Sequence, residues 1–537
     1  MNRVFLSLYQ KVFNLLRIFL LDSASFKFRL FARKTRLSPT NTNAPVVLIE
    51  SPACRANLVG IRLFMKAYSN FHPANFILYR VGPSGQFRKY IERLRFLFSI
   101  EKQFGISRFI PILWSKKSTL YYEQFYGEHC GLRSARDFEL FKYRGILIGD
   151  LIYDEYLRRS KKKTIDFSDS HFLKIFYELT SYFHSFEEIF NEYEVEAVVV
   201  SNCVYHFAIP LRIACNRDLS AFQVTSETIY KLSKNRLHAY TEFLDYSNAP
   251  KDQEIPDFDS HLIEIKNRIS RRFAGEVGVD MSYSTMSAFD TNTLDFTLKP
   301  NNRIKILIAT HDFFDSPHSY GFNFYPDFYL WIDALGRISN ETDYDWYLKT
   351  HPDPIGDSHQ VLKDFATKYS NFQLIPSTTS HHNLISQGID FVLTVFGTVG
   401  WEYPALGVPS INASSNNPHK SFSFSITPRD CDDYESILKN LATFLKLKIR
   451  EDELEYFYYL HYFKKLKSYI YYDYDKYLED IGGYAQSTTI KSALHFMEES
   501  GPNRREEPEI INAIVRFLQS GDFRLDFKHF EGISNGN

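Results

Sequence analysis

The sequence predicts an α/β protein made of two Rossmann-like domains that face each other across a cleft, with helical extensions at both ends. Short apolar, β-branched stretches alternate with stretches of helical periodicity in two separate parts of the chain. Such alternation is typical of parallel sheets with right-handed crossovers. A polar, weakly periodic region at 232–300 separates the two parts. At 537 residues the chain is also too long for a single core, so two or three domains are expected.

The first series of alternating elements begins after a polar linker at 39–45. Apolar stretches in this series predict strands, and apolar positions repeating at a helical period predict helices. The strands are expected at 46–50, 75–79, 145–148, 197–201 and 221–225, and the helices at 55–68, 172–193 and 205–215.

The second series begins with a clear buried strand at 303–309. Further strands are expected at 344–349, 391–395 and 408–411, with a helix at 399–406. The chain after 450 is helical and rich in tyrosine. Its tyrosines could bind an acceptor, but packing of these helices across the first domain is the favoured interpretation.

These assignments divide the chain into four regions. They are a basic N-terminal segment with its linker (1–43), a first Rossmann-like domain with the interdomain region (44–300), a second Rossmann-like domain (301–450), and C-terminal helices with a tail (451–537).

The first 36 residues are basic and partly apolar. They carry eight basic residues against one acidic residue, Asp22, which is a local net charge of +7. Lys11 and Arg17 interrupt the apolar run before it reaches the roughly 20 residues that a membrane-spanning helix needs, and no small-residue cleavage site follows it. The segment therefore predicts an amphipathic helix on the inner-membrane surface of a cytoplasmic protein. A terminal helix packed on the protein's own core is the equally weighted alternative.

Composition excludes several other classes. The hydrophobic share is 44% and the net charge is −1, so no overall field favours nucleic acid as a partner. The five cysteines are scattered without a CxxC pair, which is typical of reduced thiols in a cytoplasm.

The run at 390–412, DFVLTVFGTVGWEYPALGVPSIN, is the most informative part of the chain. It predicts a buried strand, a turn at Gly397 and Thr398, and a short helix that contains Gly400 and Glu402. A strand that is followed by a glycine turn and the start of a helix would direct backbone N–H groups at a phosphate. Glu402 could reach the hydroxyls of a ribose attached to that phosphate. The alternative is an ordinary strand–helix connection whose glycines only permit tight packing.

A second strand, at 344–349, delivers a possible phosphate-binding histidine. Pro352 keeps His351 out of helical geometry, so His351 is expected at the carboxyl end of the strand, where open parallel sheets bind ligands. Its imidazole could stabilise a departing phosphate, or it could simply cap the edge of the sheet. Lys349 is expected either to join the phosphate site or to be solvated.

The strand at 303–309 leads into a loop that holds His311, Asp312, Asp315 and His318. Two histidines and two acids directly after a strand favour contacts to a sugar or an acceptor in the cleft, with His311 as a candidate catalytic group. Hydrogen bonds within the loop are the alternative. Metal binding is disfavoured because the spacing matches no familiar ligand pattern.

The motifs together resemble a known family. Gly397-Thr398, Glu402 and Gly407-Val408-Pro409 resemble the nucleotide-sugar signature of GT-B glycosyltransferases. With the preceding Lys-Thr-His-Pro that ends at Pro352, they resemble bacterial capsule and surface-polysaccharide biosynthesis proteins. The resemblance implies that Glu402 grips the donor ribose and that the His-Pro pair contacts the donor phosphate. It covers 303–411 well and the first half in outline, and the acidic triplet of several sialyltransferase families is missing, which argues against a sialyl donor.

Sugar transfer also needs a base on the acceptor side. Acids at predicted strand ends of the first domain are the candidates, with Asp150 first, Glu50 second and Asp154 third. Each could instead be a helix cap or a turn former.

Several Asp-x-Asp strings occur, among them those that begin at Asp343, Asp430 and Asp473. In glycosyltransferases of the other major fold such a pair binds the cation that bridges the donor phosphates. Here they follow no strand of a nucleotide domain at the expected place, so we predict no metal and no cofactor.

The sequence as a whole predicts a glycosyltransferase that moves a sugar from a nucleotide-sugar donor onto a surface polysaccharide or a lipid-linked glycan. Three alternatives stay open: a polyol-phosphate transferase of teichoic-acid type, a nucleotide-sugar epimerase, and a catalytically silent subunit that binds a glycan or a nucleotide.

Overall fold

The fold is taken from a computed structural model of the chain. The structure describes residues 23–37, 44–52, 54–82, 92–93, 96–97, 99–106, 108–113, 134–249, 258–290, 296–350, 356–498 and 503–530.

A six-stranded sheet forms the core of the first half. Its spatial order is β3-β2-β1-β6-β7-β8, and all neighbours run parallel except β8, which is antiparallel to β7. The strands are β1 (Val46–Glu50), β2 (Asn75–Gly82), β3 (Arg108–Leu113), β6 (Val195–Val200), β7 (Ser220–Val224) and β8 (Ile229–Leu232). A separate antiparallel pair consists of β4 (Lys142–Tyr143) and β5 (Ile146–Leu147).

A second six-stranded sheet forms the core of the other half. Its order is β11-β10-β9-β12-β13-β14, and every neighbouring pair is parallel. The strands are β9 (Lys305–Ala309), β10 (Asp345–Lys349), β11 (Phe372–Ile375), β12 (Phe391–Thr394), β13 (Ser410–Asn412) and β14 (Ser425–Ile426).

Both sheets therefore have the doubly wound strand order, in which the chain reverses direction beside the first strand. The reversal lies between β1 and β6 in the first sheet and between β9 and β12 in the second. The predicted α/β fold with two Rossmann-like domains is confirmed.

Helices surround both sheets. They are α1 (Ser23–Lys34), α2 (Asn57–Phe71), α3 (Ile100–Gln103), α4 (Ala135–Glu139), α5 (Gly149–Ser160), α6 (Ser170–Glu192), α7 (Ile209–Asn216), α8 (Phe258–Phe273), α9 (Phe328–Ser339), α10 (Ser358–Lys368), α11 (His381–Ser386), α12 (Val399–Ala405), α13 (Cys431–Lys439), α14 (Glu451–Tyr458), α15 (Tyr474–Ile481), α16 (Tyr484–Ser487), α17 (Ile490–Glu498) and α18 (Glu507–Gln519).

Side chains alternate between the two faces of the first sheet. Val47 and Ile49 of β1 face a core that includes α2 and the C-terminal helices α15, α17 and α18. Leu48, between them, faces the core formed with α5, α6 and α7. The tyrosine-rich chain after 463 thus packs back onto the first sheet, as the favoured interpretation expected. For α14 that interpretation is wrong, because Phe457 and Tyr458 pack with Trp401 of the second half.

One predicted element of the first domain is wrong. The stretch at 145–148 was expected to be a strand that delivers Asp150 to the sheet edge. Instead, Ile146–Leu147 pairs only with Lys142–Tyr143 as a short antiparallel ribbon, and Gly149 already begins α5. A short apolar stretch looks the same in a ribbon and in a parallel sheet, because only its partner differs.

Helix α1 packs on the protein's own core over the part of the basic segment that the structure describes. Phe28 and Ala32 are fully buried, and the Phe28 ring meets Phe104 edge-on at a centroid distance of 6.0 Å. Residues 1–22 lie outside the described ranges. Among the described helices, none combines the length and the apolar content that crossing a bilayer requires.

Candidate functional site

The carboxyl edges of the two sheets face each other. The Tyr205 hydroxyl, in the loop after β6, donates to Asp315 Oδ1 at 2.7 Å, in the loop after β9. Arg158 of α5 donates to the same oxygen at 3.1 Å. Because each sheet reverses its strand order at this edge, the contact joins the two places where doubly wound sheets bind ligands.

The edge of the second sheet is organised around His311. This residue follows β9, and its Nε2 lies 3.2 Å from Thr394 Oγ1 at the end of β12. The Phe396 N–H donates to the same nitrogen at 3.4 Å, and the Phe328 ring stacks on the imidazole at a centroid distance of 4.5 Å. His311 therefore spans the reversal point of the sheet.

The turn after β12 leaves no room for larger side chains. A Cβ at Gly397 would lie 2.8 Å from Thr394 Oγ1 and 3.5 Å from His311 Cε1. A Cβ at Gly400 would lie 2.4 Å from His419 Cε1. Both glycines thus permit close packing, as expected if this motif is an ordinary strand–helix connection. The carbonyl of Thr398 accepts the first helical hydrogen bonds of α12.

Glu402, in α12, is held by an arginine from the interdomain region. Its carboxylate is almost fully buried, and Oε1 accepts hydrogen bonds from Arg272 Nε at 2.7 Å and from Arg272 Nη2. The Arg272 Nη1 group donates in turn to the Val279 carbonyl at 3.0 Å. The predicted ribose-binding residue therefore already has a cationic partner from α8.

Lys349 is the last residue of β10 and lies at the same edge. Its ammonium group is buried and donates to the Ser377 carbonyl at 2.9 Å. Burial lowers the pKa of Lys349 to about 8, so the side chain is mostly charged at pH 7. The expectation of a solvated lysine is wrong, because the chain beyond β11 covers it.

His351 lies outside the described residues, and its role stays a prediction.

The edge of the first sheet presents a carboxylate instead. Glu50 ends β1, and its Oε2 accepts from the Ser201 backbone N–H at 2.6 Å and from the Ser201 hydroxyl at 2.8 Å. Ser201 directly follows β6, so this pair spans the reversal point of the first sheet. Burial raises the pKa of Glu50 to about 7, although the hydrogen bonds from Ser201 act in the opposite direction.

Asp150, the first-ranked base candidate, lies in the first turn of α5 rather than after a strand of the sheet. Its Oδ2 accepts from Arg212 Nη2 at 2.6 Å, and both side chains are almost completely buried. The expectation that Asp150 ends a strand at the sheet edge is therefore wrong. Its catalytic role stays a prediction.

Asp154, the third-ranked candidate, lies in a buried interdomain contact. Its Oδ1 is 2.6 Å from His318 Nδ1, and Glu139 Oε2 is 2.9 Å from His318 Nε2. Burial lowers the pKa of His318, but the two carboxylates more than offset it and raise the value to about 10. Burial raises the pKa of Asp154 to about 6. The charged histidine thus ties the second domain to α4 and α5 of the first.

The two acids of the loop after β9 have different positions. Asp312 is buried, and its Oδ1 accepts from the Phe314 N–H at 2.8 Å. This is a hydrogen bond within the loop, as the alternative interpretation predicts. Asp315 is half-exposed and receives Tyr205 and Arg158 from the first domain. Of this pair, Asp315 is the one that contacts the first domain.

Three residues of this edge network escaped the sequence analysis: Thr394, Ser201 and Arg272. Each is ordinary in its local context, and each gains its role from a partner at least 83 residues away. The position of Ser201 at a predicted strand end was the one available signal. Within the described ranges, no group of three or more His, Cys, Asp or Glu side chains could hold a metal ion.

No family model matches the chain, and no curated protein matches it. Solved structures resemble it at low identity. The UDP-GlcNAc 2-epimerase of Neisseria meningitidis bound to UDP-GlcNAc is 10% identical, over 77% of this chain and 97% of that chain, with a TM-score of 0.26. The S. aureus MnaA–UDP structure is 12% identical, over 89% and 97% of the two chains, with a TM-score of 0.24. The calicheamicin glycosyltransferase CalG4 is 10% identical, over 86% and 100%, with a TM-score of 0.23. Likenesses of this size assign neither a family nor an activity.

Proposed function

We propose that this chain is a metal-independent glycosyltransferase of GT-B type. It would move a sugar from a nucleotide-sugar donor onto a surface polysaccharide or a lipid-linked glycan. The observation that carries the proposal is the contact between Tyr205 and Asp315, which sets two reversal points against each other. Opposed edges of this kind can hold an acceptor hydroxyl against an activated sugar.

The donor diphosphate would lie at the edge of the second sheet. His311 and the Gly397–Thr398 turn border the reversal point there, and the charged amine of Lys349 adds positive charge nearby. His351 would complete the phosphate contacts, and Glu402 would bind the ribose while Arg272 orients its carboxylate. These groups stabilise the negative charge that develops on the departing nucleotide.

The acceptor would lie at the edge of the first sheet. Glu50 supports this placement because a pKa of about 7 suits a group that takes up a proton near neutral pH. The acceptor hydroxyl would give its proton to Glu50 as its oxygen bonds to the anomeric carbon of the sugar. The bond from that carbon to the phosphate oxygen then breaks, and the nucleotide leaves with the electron pair.

The acceptor is proposed to reach the enzyme at the inner face of the membrane. The outer side of α1 exposes Phe26 and Leu30 together with Lys27 and Lys34. Apolar side chains beside cations suit a surface of anionic lipid, so the helix could pack on the core with one side and meet lipid with the other.

The proposal is tested by incubating the protein with CMP-, UDP-, GDP- and CDP-linked donors and an acceptor extract, and by measuring the nucleotide released. Release that falls in Glu50→Gln and in His311→Ala supports sugar transfer. Asp343→Asn is the matched control, because its ion pair with Arg303 is exposed and such pairs contribute little.

The same panel separates the alternatives. Turnover of a CDP-linked polyol would identify a polyol-phosphate transferase. Conversion of one nucleotide sugar into another without acceptor would identify an epimerase. Binding of a nucleotide sugar without turnover would identify a silent subunit, and any of these three outcomes contradicts the proposal.

A further inference from the structure

A large cavity lies away from the reversal points of both sheets. One wall is the second half of α8 with the loop that follows it, at 264–282, and the other wall is the chain at 463–484. Its volume is about 820 Å³, toward the upper end of the range of roughly 300–1,000 Å³ that is usual for ligand sites. We refer to it as the C-terminal cavity.

Aromatic rings form part of the lining. Tyr471, Tyr474 and Tyr484 contribute to it from the C-terminal chain. Tyr472 and Phe527 also line it, with 57% and 47% of their surfaces exposed. Large exposed rings beside a cavity leave apolar surface in water, and a ligand that covers them is stabilised by that burial.

Most charged groups of the cavity are already in ion pairs. Asp280 Oδ1 lies 3.1 Å from both Arg268 Nη1 and Lys467 Nζ. Arg268 also binds Glu264 at 2.9 Å, and Lys467 binds Asp475 at 2.8 Å. Because each of these cations has two acidic partners, the walls offer hydrogen-bonding groups without a net positive field.

This combination selects one chemical class of ligand. A polyanion such as a nucleic acid or a polyphosphate needs cations that are not already neutralised. A purely apolar ligand would leave the charged groups dry and poorly bonded. An uncharged sugar chain satisfies both walls, since its C–H faces pack on aromatic rings while its hydroxyl groups exchange hydrogen bonds with the paired ions.

We propose that the C-terminal cavity binds an uncharged oligosaccharide, a stretch of the acceptor glycan remote from the hydroxyl that reacts at the edge of the first sheet. The cavity adjoins the donor side of the cleft through α8. Arg268 borders the cavity, while Arg272, one turn further along, holds Glu402. Tyr283 packs edge-on against Tyr484 of the cavity at a centroid distance of 6.3 Å. This inference rests on the proposed function, because the transfer reaction supplies the reason for a second sugar site.

The test is binding of the full-length protein, without donor, to a printed array of uncharged oligosaccharides of hexoses and N-acetylhexosamines. The array also carries sulfated and sialylated chains. The best uncharged ligand is then titrated by calorimetry into the wild type, Tyr472→Ala, Tyr472→Phe and Phe527→Ala. We expect binding to weaken about tenfold in each alanine variant and to persist in Tyr472→Phe, which keeps the ring.

Phe71→Ala is the control, because Phe71 is an exposed ring outside the cavity and its loss should leave glycan affinity unchanged. Thermal unfolding confirms that each variant is folded. Binding to no uncharged chain, preference for the anionic chains, or equal affinity in wild type and both alanine variants overturns the inference. The outcomes are separable from those of the proposed function: nucleotide release without glycan binding removes the cavity assignment alone, and glycan binding without nucleotide release removes the transferase.

Discussion

The two sheets have the same strand order but opposite chemistry at their reversal points. In the first sheet, a carboxylate at the end of β1 accepts hydrogen bonds from the chain after β6: Glu50 with Ser201. In the second, an imidazole after β9 meets a hydroxyl at the end of β12: His311 with Thr394. The fold supplies two equivalent positions, and the residues placed there decide which can take up a proton and which can face an anion.

The packing at the two reversal points also differs, again because different residues occupy them. At the second edge, Gly397 brings the backbone close to His311, since a Cβ would collide with Thr394. At the first edge the residue directly after β6 is Ser201, whose side chain itself provides one of the hydrogen bonds to Glu50. One edge is thus built for close backbone approach and the other for control of a carboxylate's proton affinity.

The largest expected effect concerns the carboxylate of the first edge. Glu50→Gln keeps the shape and the hydrogen bonds from Ser201 but cannot accept a proton, so turnover should fall by about 10²–10⁴-fold. Single-turnover kinetics measure the loss, with Asp343→Asn as the control. If instead Asp150→Asn abolishes turnover and Glu50→Gln does not, the first edge is not the acceptor side.

The next effect concerns Glu402 at the second edge. Glu402→Ala leaves Arg272 buried without its carboxylate, which should lower the free energy of unfolding by about 3–5 kcal/mol. Nucleotide-sugar affinity should also fall if Glu402 binds the ribose. Urea denaturation and calorimetric titration measure the two quantities separately.

Glu341→Ala is the matched comparison, because the Glu341–Lys439 pair is exposed and its loss should cost well under about 1 kcal/mol. Donor affinity that stays unchanged in folded Glu402→Ala would exclude Glu402 from the donor site, and unchanged stability would show that Arg272 does not depend on it.

A smaller effect is expected at Gly397. Gly397→Ala forces its Cβ against Thr394 Oγ1, the hydrogen-bond partner of His311, at a cost of about 1–3 kcal/mol in stability. Gly521→Ala is the control, because that position has open space around it. Denaturant unfolding of both variants gives the comparison, and an equal stability of the two would mean that the second edge does not require close packing.

The smallest effect is the pH dependence of the first edge. The pKa of Glu50 rises from its ordinary 4.5 to about 7 in the folded chain, so the folded state binds this proton more tightly than the unfolded state. Its contribution to stability is complete below pH 4.5 and is lost as the pH rises through 7. Glu50 becomes ionised, and so able to act as the base, as the pH rises through 7. Turnover at pH 6 should therefore be about tenfold below its plateau.

A pH–rate profile and urea denaturation at several pH values follow both trends. The stability trend should be absent in Glu50→Gln. A wild-type rate that falls as the pH rises through 7 would contradict the assignment of Glu50 as the base.

Local patterns predicted much of the fold. The strands β1, β9 and β12 begin and end within about two residues of their predicted limits, because an apolar strand between turn residues is a local signal. The pairing partners of short strands were harder to predict. The apolar stretch before Asp150 became one side of an antiparallel ribbon, since a strand's partner is chosen by the tertiary structure.

By itself, the sequence determined the α/β class, the division into two Rossmann-like halves and most of the residues that follow the strands. Only the tertiary structure decided which of those residues act on each other. Arg272 is 130 residues from Glu402, and Ser201 is 151 residues from Glu50. The physical reason is that hydrophobic periodicity is encoded over a few neighbouring residues, whereas the pKa of a carboxylate depends on burial and on partners that meet it only after folding.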